Sequence, residues 1–161
     1  MHKRIGKKGK SFNLFKFRTM YSNSEVLLEK YLEKSDYARK EWTRNQKLYD
    51  DPRVTRFGKI LRKYSLDEIP QLINVFLGEM SIVGPRPIVL DEVEKYKEKF
   101  EVYCKVKPGI TGLWQVSGRN DIDYNKRIEL DTFYVNNLNF FMDVSILIKT
   151  LPAVIFNKGA Y

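Results

Sequence analysis

The sequence predicts a mixed α/β domain of the α+β kind, dominated by helices, with short strands or hairpins between them. Apolar residues recur at helical spacing, most plainly Phe140, Val144, Leu147, Ile148, Leu151, Val154 and Ile155. Short runs bounded by glycine and proline, such as "SFNLFKFR" and "PGITGLWQVSG", have the length of strands and turns. At 161 residues the chain has the length of one domain with a sizeable core, so a single domain over 1–161 is expected.

The charge balance narrows the function classes. A formal net charge of +9 favours a polyanionic partner: nucleic acid, an anionic membrane surface or a phosphorylated substrate. The single cysteine, Cys104, excludes an intrachain disulfide and a multi-cysteine zinc site. The single histidine, His2, lies near a terminus and argues against Ser-His-Asp or Cys-His chemistry. Any catalysis is therefore left to carboxylates, Lys, Arg, Tyr and a hard metal. The sequence has no signal-peptide pattern and no apolar run long enough to span a bilayer.

Taken in order, the first element is basic. Residues 1–18 hold Lys3, Arg4, Lys7, Lys8, Lys10, Lys16 and Arg18 and no acid; Gly6 and Gly9 mark a turn before a strand or hairpin arm. The arm reads either as a solvated basic face or as an anion contact. Ser24–Tyr49 reads as helix, with Leu27, Leu28, Tyr31 and Leu32 on one stripe. A turn at Asp51-Pro52 then leads into a short helix with Ile60, Leu61 and Tyr64 on one side.

"SLDEIPQL" follows. Ser65 and Glu68 have the spacing of a helix capping box. Pro70 disfavours helical geometry at Ile69, so Asp67 and Glu68 are expected on a turn entering the helix. Beyond them Ile69, Leu72, Ile73, Phe76 and Leu77 form a face expected to be core, with Gly78 as the stop. Ser81–Val83 reads as a strand. The stiff loop Gly84-Pro85-Arg86-Pro87 presents Arg86 from a pre-ordered backbone, as a fixed anion clamp or a surface turn. A charged helix is expected over Asp91–Phe100, a short strand over Leu113–Val116, and a turn at Ser117-Gly118 that presents Arg119 and Asn120. The C-terminal stripe, interrupted by Pro152, reads as core or as an interfacial membrane helix.

Together the motifs "KFRTM", "DPRVTRFGKILRKYSLDEIPQLINVFLGEMSIVGPRP", "PGITGLWQVSGRN" and "GAY" resemble, in that order, the bacterial sugar transferases, or monotopic phosphoglycosyl transferases. The longer insert from Ser22 to Thr55 resembles the branch of undecaprenyl-phosphate galactose or glucose phosphotransferases. The resemblance implies transfer of a hexose 1-phosphate from a UDP-sugar to a polyprenyl (undecaprenyl) phosphate, starting exopolysaccharide, capsule or O-antigen synthesis. Asp67 is then the nucleophile and Glu68 its partner, with UMP released and a phosphosugar left on Asp67. Glu68, with Asp67 near the same ion, is expected to bind Mg2+.

Arg62 and Arg86 are the first substrate-binding candidates by this resemblance; Lys16, Arg18, Gln115, Arg119 and Asn120 follow. It also implies the cytoplasmic face of the bacterial inner membrane as location and leaves a homodimer open, while the basic arm and the Phe140 to Ile155 stripe point to an anionic membrane surface as partner and to amphipathic membrane-interface helices. Two departures stand out. The family carries a hydrophobic re-entrant helix ahead of the basic arm, and these residues are expected to begin after it. The family often has Trp-Ser where this chain has "NNLNFFMD" before Asp143. The rival readings are a basic nucleic-acid-binding module, for which the sequence has no recognised motif, and a catalytically inactive scaffold.

Overall fold

In the computed structural model, which describes residues 2–45, 48–118 and 122–155, the basic arm folds as the expected hairpin. Strands β1 (His2–Ile5) and β2 (Ser11–Leu14) pair antiparallel, His2 opposite Leu14 and Ile5 opposite Ser11. Lys8 and Gly9, at φ 59° and 71°, turn the chain between them; glycine takes that region without a steric penalty. Phe12 and Leu14 point inward while Ser11 and Asn13 face out, the period-two pattern of a strand with one covered face.

Among the described residues, contacts divide the chain into two units, residues 18–67 and residues 2–17 with 68–155. The 18–67 unit holds α1 (Ser24–Lys34), α2 (Asp36–Asn45) and α3 (Arg56–Lys63). The single helix expected over Ser24–Tyr49 is thus two. It breaks at Ser35, whose backbone is extended and whose Oγ accepts from Ala38 N at 3.2 Å, capping α2. Thr55 caps α3 in the same way, accepting from Gly58 N at 2.8 Å. A Cβ on Gly58 would overlap the Thr19 carbonyl, so only glycine lets α3 lie this close to Thr19.

The other unit joins the hairpin to α4 (Gln71–Phe76), β3 (Ser81–Val83), α5 (Leu90–Tyr96), α6 (Lys99–Tyr103), β4 (Gly109–Thr111), α7 (Leu113–Val116), α8 (Tyr124–Asn136) and α9 (Phe140–Ile155). β3 and β4 pair in parallel, with Ser81 opposite Gly109 and Val83 opposite Thr111. The strand expected at Leu113–Val116 therefore lies earlier, and those four residues form the short helix α7. Gly109 and Gly112 lie against the Gly84 backbone, where a Cβ on either would overlap it, so glycines that read as turn residues serve close strand approach. The helix expected over Asp91–Phe100 is broken at Lys97, at φ 48°, into α5 and α6.

Side chains pack in three buried clusters within this unit. Ile5, Ile88, Tyr96, Tyr103 and Ile128 form one; Phe12, Leu14 and Met80 another; Val83, Tyr134 and Ile146 the third. The chain is helix-dominated with short strands, as the sequence predicts. The apolar face of α4 differs from expectation. On α4 and the turn before it, Ile69, Leu72, Ile73, Phe76 and Leu77 are exposed, Phe76 at 91%, while Gln71 and Asn74 are buried. On α9, whose stripe reads as core or as an interfacial membrane helix, Phe140, Phe141, Ile148 and Leu151 are exposed while Ile146 is buried. Periodicity identifies an amphipathic helix, but it cannot say which face the neighbouring elements cover. Among the described residues, no helix is long and apolar enough to cross a membrane.

Candidate active site

The Asp-Glu pair sits where one helix ends and the next has not begun. Ser65, at φ 54°, donates its N–H to Arg62 O at 3.1 Å and ends α3 in the left-handed conformation of a residue just past a helix C-terminus. It is therefore not an N-cap, and the Ser65–Glu68 capping box is not formed. Leu66–Glu68 makes a single 3-10 turn, and Pro70 stands at the start of α4, where its missing N–H has no helical partner to lose. Asp67 is buried, with 3% exposure, and Glu68 is half-buried.

Within the 18–67 unit, Arg62 Nε donates to Thr19 Oγ1 at 2.9 Å. Burial lowers the Arg62 pKa, while the charges of Asp51 and Asp67 raise it in partial compensation. Its positive charge thus interacts electrostatically with the Asp67 carboxylate. Asp51 is a structural partner. Burial pushes its carboxyl up, but hydrogen bonds from Arg53, one of them 2.6 Å from Nη2, and the charges of Arg53 and Arg62 bring it below its ordinary value. Arg18, on the segment leading to Thr19, is exposed.

In the other unit, Lys16 Nζ lies 3.4 Å from Glu68 Oε1. An ion pair this long and this exposed contributes little stability, of order 0–1 kcal/mol. It fixes position instead, and Asn74 sets that position. This fully buried side chain accepts from Phe15 N at 3.0 Å and donates to Asn13 O at 2.8 Å and to Glu79 Oε2 at 2.7 Å. It ties the end of β2, and with it Lys16, to α4. The sequence signal for Asn74 is slight, one polar residue inside "LINVF". Asn74→Ala leaves three groups without this partner, so it should lower stability by about 2–4 kcal/mol, read from the denaturation midpoint.

Arg86 is held as the Pro-Arg-Pro stiffness suggests. Pro85 and Pro87 are buried, Pro85 O accepts from Gly109 N at 2.8 Å, and the Arg86 guanidinium lies 5.9 Å from the centre of the Trp114 ring. Gln115, next to Trp114, donates to Ile110 O at 3.0 Å. The structure thus brings Lys16 to Glu68, Arg62 to Asp67, and Arg86 to the Trp114-Gln115 turn. Arg119, Asn120 and the "GAY" motif lie outside the described residues. Sequence reasoning missed Asn74 and the buried Asp131, Arg127, Tyr96 and Trp114 near Arg86, whose partners are distant in the chain.

Three relatives resemble the chain over 160 residues, or 99% of its length. It is 54% identical to an uncharacterized sugar transferase of Haemophilus influenzae, of which it covers 34%. It is 51% identical to the exopolysaccharide production protein ExoY of Sinorhizobium fredii, covering 71% of it, and 51% identical to the undecaprenyl-phosphate galactose phosphotransferase of Salmonella typhimurium, covering 34%. The chain therefore spans about a third of the length of the Haemophilus and Salmonella proteins. Residues 1–157 match the bacterial sugar transferase family, to which this chain belongs.

Proposed function

We propose that the chain is a phosphoglycosyl transferase domain that moves a hexose 1-phosphate from a UDP-sugar to undecaprenyl phosphate, opening exopolysaccharide, capsule or O-antigen assembly. The observation that carries this reading is a buried Asp67 that interacts electrostatically with Arg62, followed directly in the chain by Glu68 paired to Lys16. The names of the relatives, a galactose phosphotransferase acting on undecaprenyl phosphate and an exopolysaccharide production protein, support the same chemistry.

An Asp67 carboxylate oxygen attacks the β-phosphorus of the UDP-sugar. The bond from that phosphorus to the bridging oxygen breaks, UMP leaves with the electron pair, and an acyl phosphate carrying the sugar remains. A phosphate oxygen of the polyprenyl phosphate then attacks the same phosphorus, frees the Asp67 carboxylate and forms the diphosphate linkage. Such transfers need mainly positioning and neutralised oxygens. Arg62, Arg86 and Lys16 supply positive charge to the donor phosphates, and Arg18, Gln115, Arg119 and Asn120 supply further donors.

Among the described residues, no group of three or more His, Cys, Asp or Glu could hold a metal. Two neighbouring carboxylates without a protein cage suit magnesium, which keeps waters and substrate phosphates in its shell. Glu68 and Asp67 would hold it, and when bound it neutralises charge on the transferring phosphoryl group.

The test is the nucleotide product formed with UDP-sugar and undecaprenyl phosphate in detergent. Cleavage between the phosphates gives UMP; UDP as the first product would falsify the reaction.

The same reading puts the chain at an anionic membrane surface, on the cytoplasmic face of the inner membrane. Its support is the inverted α4 and the outward Phe140, Phe141, Ile148 and Leu151 of α9, exposed apolar faces in a chain of net charge +9. Each basic residue near anionic lipid contributes on the order of 1 kcal/mol, so vesicles rich in anionic lipid should bind the chain better than neutral ones at low salt. Phe76→Ser with Phe141→Ser should cut that binding at least about tenfold, with stability changed by only about 0.5 kcal/mol per exposed site. Equal co-sedimentation with both lipids, or with parent and variant, would remove the surface-binding reading.

A further inference from the structure

The proposed reaction leaves without a role a cleft between the end of α4, strand β3 and the first turns of α9, all within one unit of the chain. Its volume is about 480 Å³, within the range of sites that take small organic ligands. Val75, Ile82, Phe140, Val144 and Leu147 line it, and three of these are exposed: Ile82, Leu147 and, at 75%, Phe140. Among the described residues, two charged side chains complete the lining, Lys107 from the segment before β4 and Asp143 from α9.

These two opposite charges share the cleft without pairing. Lys107 is exposed, and none of the ion pairs among the described residues includes it or Asp143. Lys107 Nζ lies 3.5 Å from the place a Cβ on Gly78 would take, so the glycine that follows α4, at φ 77°, leaves space for the ammonium. Asp143 is anchored from behind. Its Oδ1 accepts from the Tyr134 hydroxyl at 2.8 Å, and Tyr134 is buried in the core cluster with Val83 and Ile146. A carboxylate accepts at both oxygens, so this single hydrogen bond leaves Asp143 with acceptor capacity.

An apolar wall with one cation and one anion restricts what fits. A purely apolar ligand would leave both charges without a counterpart and lose their hydration as it covered them. A lipid with only negative charge, such as phosphatidic acid or a polyprenyl phosphate, would suit Lys107 and be repelled by Asp143. A zwitterionic head group on a hydrocarbon chain complements all three features. We propose that the cleft binds one phospholipid of the phosphatidylethanolamine class, with its phosphate on Lys107, its ammonium on Asp143 and the start of an acyl chain along Phe140, Val144 and Leu147. The proposal rests on the membrane-surface reading, which brings α4 and α9 to lipid. It differs in kind from the attraction of the basic residues to anionic lipid, which is long-ranged and sets no geometry. Paired charges at defined places give selectivity between head groups more than raw affinity.

Head-group chemistry supplies the test. Phosphatidylethanolamine and phosphatidylcholine carry the same net charge, but only the former has N–H donors for Asp143. The full chain in detergent is mixed with equimolar phosphatidylethanolamine, phosphatidylcholine and phosphatidic acid of matched chains, and bound lipid is counted by native mass spectrometry. One phosphatidylethanolamine per chain is expected, favoured about fivefold over each of the others. Lys107→Gln, at an exposed position, should lower phosphatidylethanolamine and phosphatidylcholine uptake together by about tenfold. Asp143→Asn should still take up lipid but lose the preference between those two. Val144→Trp fills the cleft and should block uptake of all three lipids, with circular dichroism showing that it folds.

Equal uptake of phosphatidylethanolamine and phosphatidylcholine by the parent overturns the proposal, as does a preference for phosphatidic acid. So does uptake that is unchanged in Lys107→Gln or in folded Val144→Trp, or a preference that survives in Asp143→Asn. Should loss of the Tyr134 contact unfold Asp143→Asn, the parent comparison and Lys107→Gln decide the matter alone. Failure of the surface reading shows separately, as equal co-sedimentation with anionic and neutral vesicles while the head-group preference in detergent persists.

Discussion

Asp67→Asn should leave a folded protein whose turnover has fallen by on the order of 10³ or more. The amide matches the carboxylate in shape, so it can occupy the same buried position, at 3% exposure, in the turn between α3 and α4. It is a poor nucleophile toward phosphorus, and loss of a covalent route removes a whole pathway rather than one stabilising contact. Circular dichroism and the denaturation midpoint establish that the variant is folded. A folded Asp67→Asn that turns over near the parent rate would move the nucleophile elsewhere, with Glu68 the next candidate.

The second large effect is expected at Glu68. Glu68→Gln keeps volume and removes the charge that would hold magnesium, so activity should fall by about 10²–10⁴ and no longer respond to added magnesium, while EDTA abolishes turnover of the parent. Stability should hardly change, because the contact with Lys16 is long and partly exposed. An undiminished rate in Glu68→Gln would reduce the residue to a partner of Lys16. A parent enzyme indifferent to EDTA would remove the metal.

Much of this arrangement is legible in the chain itself, and its limits are physical. Gly6 and Gly9 with the strand-like run "SFNLFKFR" announce the hairpin, and the turn at Asp51-Pro52 announces the approach of α3. Local signals fail where a distant neighbour decides. Gly109 and Gly112 look like turn residues until the Gly84 backbone lies against them, which is why the strand was expected too late in the chain. Ser65 and Glu68 have capping-box spacing, yet α3 ends on Ser65, and Pro70 delays α4 to Gln71. The stripe of α4 is as periodic as any core helix, but Asn74 is buried because its partners Asn13, Phe15 and Glu79 are on the other face.

The site divides along the same line. Asp67, Glu68, Arg62 and Arg86 stand in short motifs that carry their resemblance within a few residues. Asp131 and Tyr96 are 35 positions apart in the chain and meet only because α5 and α8 share a core with Ile88 and Ile128. No spacing rule links them. Arg127 likewise looks like a surface helix cation until Trp114 and Tyr124 are folded against it.

The central claim, a phosphosugar carried on Asp67, is tested most directly by isotope exchange without the lipid acceptor. The protein is incubated with unlabelled UDP-sugar and labelled UMP, and the label in UDP-sugar is followed over time. A covalent intermediate can be attacked by UMP in reverse, so label should enter UDP-sugar with no polyprenyl phosphate present, and Asp67→Asn should show none. Exchange that appears only when the acceptor is added, or that persists in folded Asp67→Asn, would contradict the account.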